Sequence, residues 1–224
     1  MKISCIIPAH NEGKRIGNVL KILRNHHLVD EITVINDGST DNTVEVVRRF
    51  KGVKLVNHDF NKGKSHTVMN GIKRAKYPIL LLIDADLIGL TEKNVTDLIM
   101  PLKTGIADMS ISLRKNAPLF WKIIGLDFIS GERAFLKKIV HDHEKLKKMR
   151  SWGIESNYLN KKIIEQNLRL KVVKWDNVIS PYPHKKHSYF VGMKKFFGMV
   201  HQILSVTGLF GSAYQIYRML RLRV

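Results

Sequence analysis

The chain has 224 residues, 44% of them apolar, with 38 Lys and Arg against 19 Asp and Glu and a formal net charge of +19. That length suits one domain and the apolar share excludes a disordered chain, while the charge implies anionic partners: nucleotide phosphates, nucleic acid or an anionic lipid surface. A single cysteine, Cys5, excludes a disulfide framework and fits a reducing, cytoplasmic compartment, and the first residues lack the apolar length and cleavage site of a secretory signal.

Short apolar runs alternate with amphipathic stretches through the first half. Residues 2–8 read as a strand and 13–25 as a helix. Residues 31–37 read as a strand and 41–50 as a helix, with Asn42 and Glu45 at the spacing of a capping box. Strand 53–59, helix 65–76, strand 77–86, helix 92–103 and strand 107–113 follow. This alternation predicts an α/β fold, a mostly parallel sheet with helices on both faces. Ligands then bind at the carboxyl ends of the strands. The predicted strands end in polar groups there: His10-Asn11-Glu12, Asn36-Asp37-Gly38-Ser39 and Asp84-Ala85-Asp86. Two aspartates of like charge following the apolar run 79–83 call for something positive beside them.

The second half is less regular. Residues 118–150 are rich in aromatics and bases, 155–167 reads as a helix, 169–175 as a strand and 180–188 as a Pro-broken loop. His141 and His143 alternate with acids but lack a partner pair for zinc, and read as solvated. From Phe196 to Tyr217 the tail has no formal charge apart from a proton on His201, and basic residues flank it. Three readings stay open for it: amphipathic helices lying on an anionic membrane or packing as a homodimer, a spanning helix interrupted by polar residues, or a cover for the core.

Four segments carry a resemblance: "IIPAHNE" (6–12), "VINDGSTDNT" (34–43), "NKGKSHTVMNGI" (61–72) and "LLLIDADL" (80–87). In this order and spacing they resemble the family-2 glycosyltransferases of GT-A fold. The resemblance implies a Rossmann-like catalytic domain over 1–188, with a nucleotide-sugar half (1–113) and an acceptor half (114–188), followed by a basic amphipathic tail (189–224). It implies transfer of a sugar from a nucleotide-diphosphate donor, UDP-linked by family likeness, to an acceptor: a membrane lipid or lipid-linked glycan would explain the basic tail, and a soluble acceptor is equally compatible. Asp84 and Asp86 look like the family's DxD pair, with Asp86 a ligand of Mn2+ or Mg2+ and Asp84 nearer the ribose or the metal's water. A divalent ion there offsets the charge of the departing nucleotide.

By the same likeness, Asp37 meets the nucleobase, and Pro8, Ala9, Asn11 and Glu12 wall the base and ribose pocket. Lys64, at a glycine-lysine loop before a helix, meets a phosphate. Glu155 matches the tract of the catalytic base, where the family more often writes two acids. His184 is a candidate third metal ligand, with His187 as its competitor. Each has a plainer reading: turn residues for Asp37, Asp84 and Asp86, a helix cap for Glu12 and Glu155, a surface position for Lys64 and His184. "SGERAF" (130–135) resembles a segment lining the sugar site. No G-x-G-x-x-G follows the first strand, no P-loop spacing occurs, and no nucleic-acid-reading module is present. The rival to an enzyme is a membrane-associated scaffold that binds nucleotide sugar without turning it over.

Overall fold

The computed structural model describes residues 1–140, 153–181, 208 and 210–224. Seven strands form one sheet: β1 (Ile3–Ala9), β2 (Glu31–Asp37), β3 (Val53–His58), β4 (Ile79–Leu82), β5 (Met109–Arg114), β6 (Arg133–Leu136) and β7 (Leu170–Trp175). Their order is β3-β2-β1-β4-β6-β5-β7, and only β6 runs antiparallel to its neighbours. The α/β sheet expected from the alternation is present.

Side-chain alternation builds two cores. Ile3, Cys5 and Ile7 of β1, with Ile79 and Leu81 of β4, face one side and meet α1 (Ile16–Asn25) and α4 (Glu92–Lys103). Ile6 of β1, with Leu80 and Leu82 of β4, faces the other side and meets α3 (Lys64–Arg74). Successive residues of a strand point to opposite faces, and a strand covered on both sides must be apolar on both. That is why 79–83 reads as an unbroken apolar run. Gly71 lets α3 press on β1: a Cβ there would lie 2.3 Å from Ile6.

Several boundaries differ from expectation. β4 ends at Leu82, so Asp84 and Asp86 lie in the turn beyond the strand, not on it. The Asn42–Glu45 capping box is not formed; the Asn42 side chain makes no cap bond to α2 (Thr43–Arg48). Asp41 takes that place, accepting from the Thr43 N–H and hydroxyl with one oxygen and from the Gly13 N–H with the other. Residues 155–167 do not form one helix. A π-helical turn (Ile154–Leu159) leads into α6 (Asn160–Glu165). In the stretch read as irregular lie α5 (Leu119–Ile124) and β6.

The described end of the tail is helical over 210–221, and its Met219 is fully buried in the second core. The Val224 N–H then donates to the Leu170 carbonyl at the start of β7. Among the described residues, no helix is long and apolar enough to cross a membrane. Residues 189–207, on which most of the tail reading rests, lie outside the described residues, as do His141, His143, Trp152, His184 and His187.

Candidate active site

The carboxyl ends of β1 and β2 are knotted together by side chains. Asn11 takes a left-handed backbone (φ 55°), a conformation Asn tolerates better than most residues. Its Oδ1 accepts from the Thr40 and Asp41 N–H groups, and its own N–H donates to Ser39 Oγ. The Glu12 N–H donates to Thr43 Oγ1, and its carboxylate pairs with Arg15 at 3.2 Å. Pro8 and Ala9 lie in β1 itself, opposite Ile35 and Asn36. The predicted pocket wall is therefore a braced corner between two strand ends.

Asp37 is 3% exposed at the end of β2. One oxygen accepts from His58 Nδ1 (2.7 Å) and the Lys62 N–H (2.9 Å), the other from the Gly63 N–H (2.8 Å). Burial pushes this carboxyl up, but the bonds from His58, Lys62, Gly63 and Thr67 outweigh it and hold it below the usual range. Asp37 thereby fixes the 61–63 loop that starts α3. Gly63 takes φ 88° at this junction, which favours glycine.

That loop aims Lys64. Its Nζ lies 2.9 Å from Asp84 Oδ1 and 3.1 Å from Glu155 Oε1, joining two acids that are 71 positions apart in the chain. Burial alone would lower the ammonium; Asp84 and Glu155 more than offset it and hold it above a lysine's ordinary value. Gly131 backs this contact. A Cβ there would stand 2.6 Å from Lys64 Nζ and 2.8 Å from Asp84 Oδ2. Glu155 itself is buried, in the first turn after Gly153 at φ 104°. It lies in a π-helical turn, a rare form frequent at functional sites.

Asp86 is 8% exposed and accepts from Ser180 Oγ at 3.1 Å. Asp84, Asp86 and Ser180 offer hard oxygen donors of the kind Mg2+ and Mn2+ take, these ions completing their shells with water and phosphate. Among the described residues, no group of three His, Cys, Asp or Glu side chains could hold a metal ion.

Behind Lys64 lies a buried network that sequence reasoning missed. Glu132, fully buried, accepts from Ser112 Oγ (2.8 Å) and Ser130 Oγ (2.7 Å) and pairs with Arg114 at 3.4 Å. Arg114 also pairs with Asp127 at 3.3 Å. Burial pushes the Glu132 and Asp127 carboxyls up, against the pull of Arg114. Arg133 donates to the Ser130 and Phe128 carbonyls and to Asn160 Oδ1; burial lowers it to about 10. A signal was present: "SGERAF" sets two opposite charges inside an apolar stretch, which requires buried partners.

A parallel sheet interrupted by one antiparallel strand, with acids gathered at its carboxyl edge, defines the GT-A glycosyltransferase fold. The solved structure of glucosyl-3-phosphoglycerate synthase from Mycobacterium tuberculosis with Mn2+, UDP and phosphoglyceric acid superposes with a TM-score of 0.75 at 20% identity, covering 96% of this chain and 78% of that one. The family model "Glycosyl transferase family 2" matches residues 4–150, and the chain belongs to that family. An uncharacterized protein of Methanocaldococcus jannaschii is 32% identical over 234 residues, covering 90% of this chain and 92% of that protein. Poly-beta-1,6-N-acetyl-D-glucosamine synthase of Staphylococcus epidermidis is 36% identical over 88 residues, which are 38% of this chain and 21% of that enzyme.

Proposed function

We propose that this chain moves a sugar from a UDP-linked donor to an acceptor hydroxyl by metal-assisted, inverting displacement. The observation that carries the reading is the ion cluster in which Lys64 joins Asp84, from the end of β4, to Glu155, from the π-helical turn. It gathers Asp84, which the family resemblance sets nearer the ribose or the metal's water, and Glu155, which it sets as base. Asp84 and Asp86 would hold Mn2+ or Mg2+, which offsets the charge of the departing diphosphate. Glu155 takes the proton of the attacking hydroxyl. Asp37 and the corner at Asn11 and Glu12 form the floor and wall on the nucleoside side.

A membrane lipid or lipid-linked glycan is the proposed acceptor, on an anionic membrane surface. Leu119, Phe120 and Ile123 of α5 are more than half exposed, as are Phe210, Tyr214 and Tyr217 of the last helix, where Arg218 and Arg221 lie beside them. Apolar side chains flanked by bases suit an interface with anionic headgroups. His184 remains a proposed third ligand.

The test is a panel of nucleotide sugars with Mn2+, read by thermal shift and by transfer or hydrolysis, on the native chain and on Asp86→Ala. The native chain should be stabilised by one UDP-sugar with Mn2+, since a ligand bound to the folded form raises its stability. Asp86→Ala should stay folded and lose transfer. An Asp86→Ala protein with full, metal-independent transfer would sink the reading. Binding without turnover in the native chain would favour the scaffold.

A further inference from the structure

Lys64 stands where a nucleotide-binding lysine is not expected to rest: between two carboxylates, at 2.9 Å and 3.1 Å, with its side chain four-fifths buried. We propose that Lys64 is a placeholder cation, which offsets part of the charge of Asp84 and Glu155 and passes to the donor's diphosphate when a divalent ion takes over Asp84. The inference rests on the reading of Asp84 and Asp86 as the metal site.

Three observations support the exchange. Two carboxylates, Asp84 and Glu155, share the one Lys64 ammonium, and Asp86 lies two residues from Asp84 in the same turn. Gly131 closes the side toward β6, because even a methyl group there would touch both Lys64 Nζ and Asp84. A displaced ammonium therefore has to leave away from the sheet. Lys64 is also the first residue of α3, an 11-residue helix. Its backbone is anchored there, while its four-carbon stem can swing its ammonium. The free N–H groups of that first turn favour an anion beside it.

A fixed structural clamp would behave differently. If Lys64 only positioned Glu155, removing it would weaken every ligand. A placeholder competes with the metal and cooperates with the diphosphate, so its removal acts in opposite directions on the two.

The experiment measures Mn2+ binding by electron paramagnetic resonance, without and with UDP, on the native chain, Lys64→Met, Lys64→Arg and Asp86→Ala. Lys64→Met should bind Mn2+ alone about tenfold more tightly and Mn2+ with UDP about tenfold more weakly, a conservative expectation for one nearby charge in a partly dry site. Lys64→Arg keeps the charge and should bind Mn2+ alone as weakly as the native chain. Unchanged or weaker Mn2+ binding by Lys64→Met, with binding lost in Asp86→Ala, overturns the placeholder and leaves the metal site standing. Native-like binding by Asp86→Ala overturns both. Should Lys64→Met fail to fold, a structure of the native chain with Mn2+ and UDP decides. Lys64 still bonded to both carboxylates would overturn the proposal, and Lys64 on the diphosphate would support it.

Discussion

Gly131→Ala separates the demands of the site from those of the fold. Gly131 does not take a positive φ, so an alanine backbone fits, and the obstacle is the Cβ alone. That Cβ would stand 2.6 Å from Lys64 Nζ and 2.8 Å and 3.0 Å from the Asp84 oxygens. An ordinary contact needs about 3.5 Å, so the ammonium retreats by ~0.9 Å and the carboxylate by ~0.7 Å. The lysine end is flexible, so this should cost under about 1 kcal/mol of stability, below the usual 1–3 for overpacking a rigid core. Catalysis is less forgiving, and a misplacement of about 1 Å can cost on the order of a hundredfold in turnover. Gly71→Ala is the control. Its Cβ would meet Ile6 at 2.3 Å, deep between α3 and β1 and far from any reacting atom. It should lose about 1–3 kcal/mol in a urea titration and keep its turnover once folded. Transfer rates and urea midpoints of both variants decide the matter. A Gly131→Ala enzyme turning over within about twofold of native would refute the claim that the Lys64–Asp84 contact belongs to the reaction centre.

Two further outcomes follow from buried groups away from the chemistry. The Asp37 carboxyl titrates below its unfolded value, so the stability it contributes is full above the unfolded pKa of about 4 and is lost as pH falls through the lower folded value. Urea midpoints measured down through that window should fall steeply for the native chain. Asp37→Asn should lower the midpoint at neutral pH and flatten the acid limb, and an unchanged limb would remove Asp37 from the account. Cys5 is 0% exposed in β1 and burial pushes its thiol far up. It should resist a thiol reagent in the native protein and react only on unfolding, so rapid native labelling would contradict the packing of β1.

The left half of the sheet was legible because local and global signals agree there. β1 and β2 each pass directly into a loop and helix, and the apolar run of 79–83 announces a strand covered on both faces. In the right half β5 and β7 were legible too, at 107–113 and 169–175, but β6 between β4 and β5 was not, for two reasons. β6 has four residues and begins with Arg133, with Glu132 just before it, both 0% exposed, so the pattern carries charges where a buried strand should be apolar. Ser130 and Phe128 meet those charges from nearby, but Ser112, Arg114 and Asn160 reach them from elsewhere in the chain, and no local window contains those partners. The candidate site follows the same division. Asp84, Asp86 and Lys64 could be picked out from short motifs. That Lys64 would face two carboxylates and not open solvent depends on Asp37 holding the 61–63 loop and on Gly131 leaving room behind it.

The distribution of charge constrains how any anionic donor can bind. Asp37, Asp84, Asp86, Asp127, Glu132 and Glu155 are six of the 19 acids in a chain with 38 Lys and Arg, and they gather toward one edge of one sheet, the first, third, fourth, fifth and sixth of them buried. With those acids withdrawn, the remaining surface is more basic than the net charge suggests. Such a surface draws a diphosphate inward and raises its encounter rate. In the site proposed above the same diphosphate would meet Asp84, Asp86 and Glu155, and repulsion between like charges at partly buried groups is only weakly screened by salt. Lys64 and Arg114 offset part of that repulsion but are already engaged by carboxylates. A donor that brings its own divalent cation removes the conflict, because each ion then lowers the cost of admitting the other. By linkage the coupling is reciprocal: the metal tightens the nucleotide by the same factor as the nucleotide tightens the metal. On the proposed reading, an acidic end of the sheet in a basic protein would therefore favour the metal–nucleotide complex over either component alone.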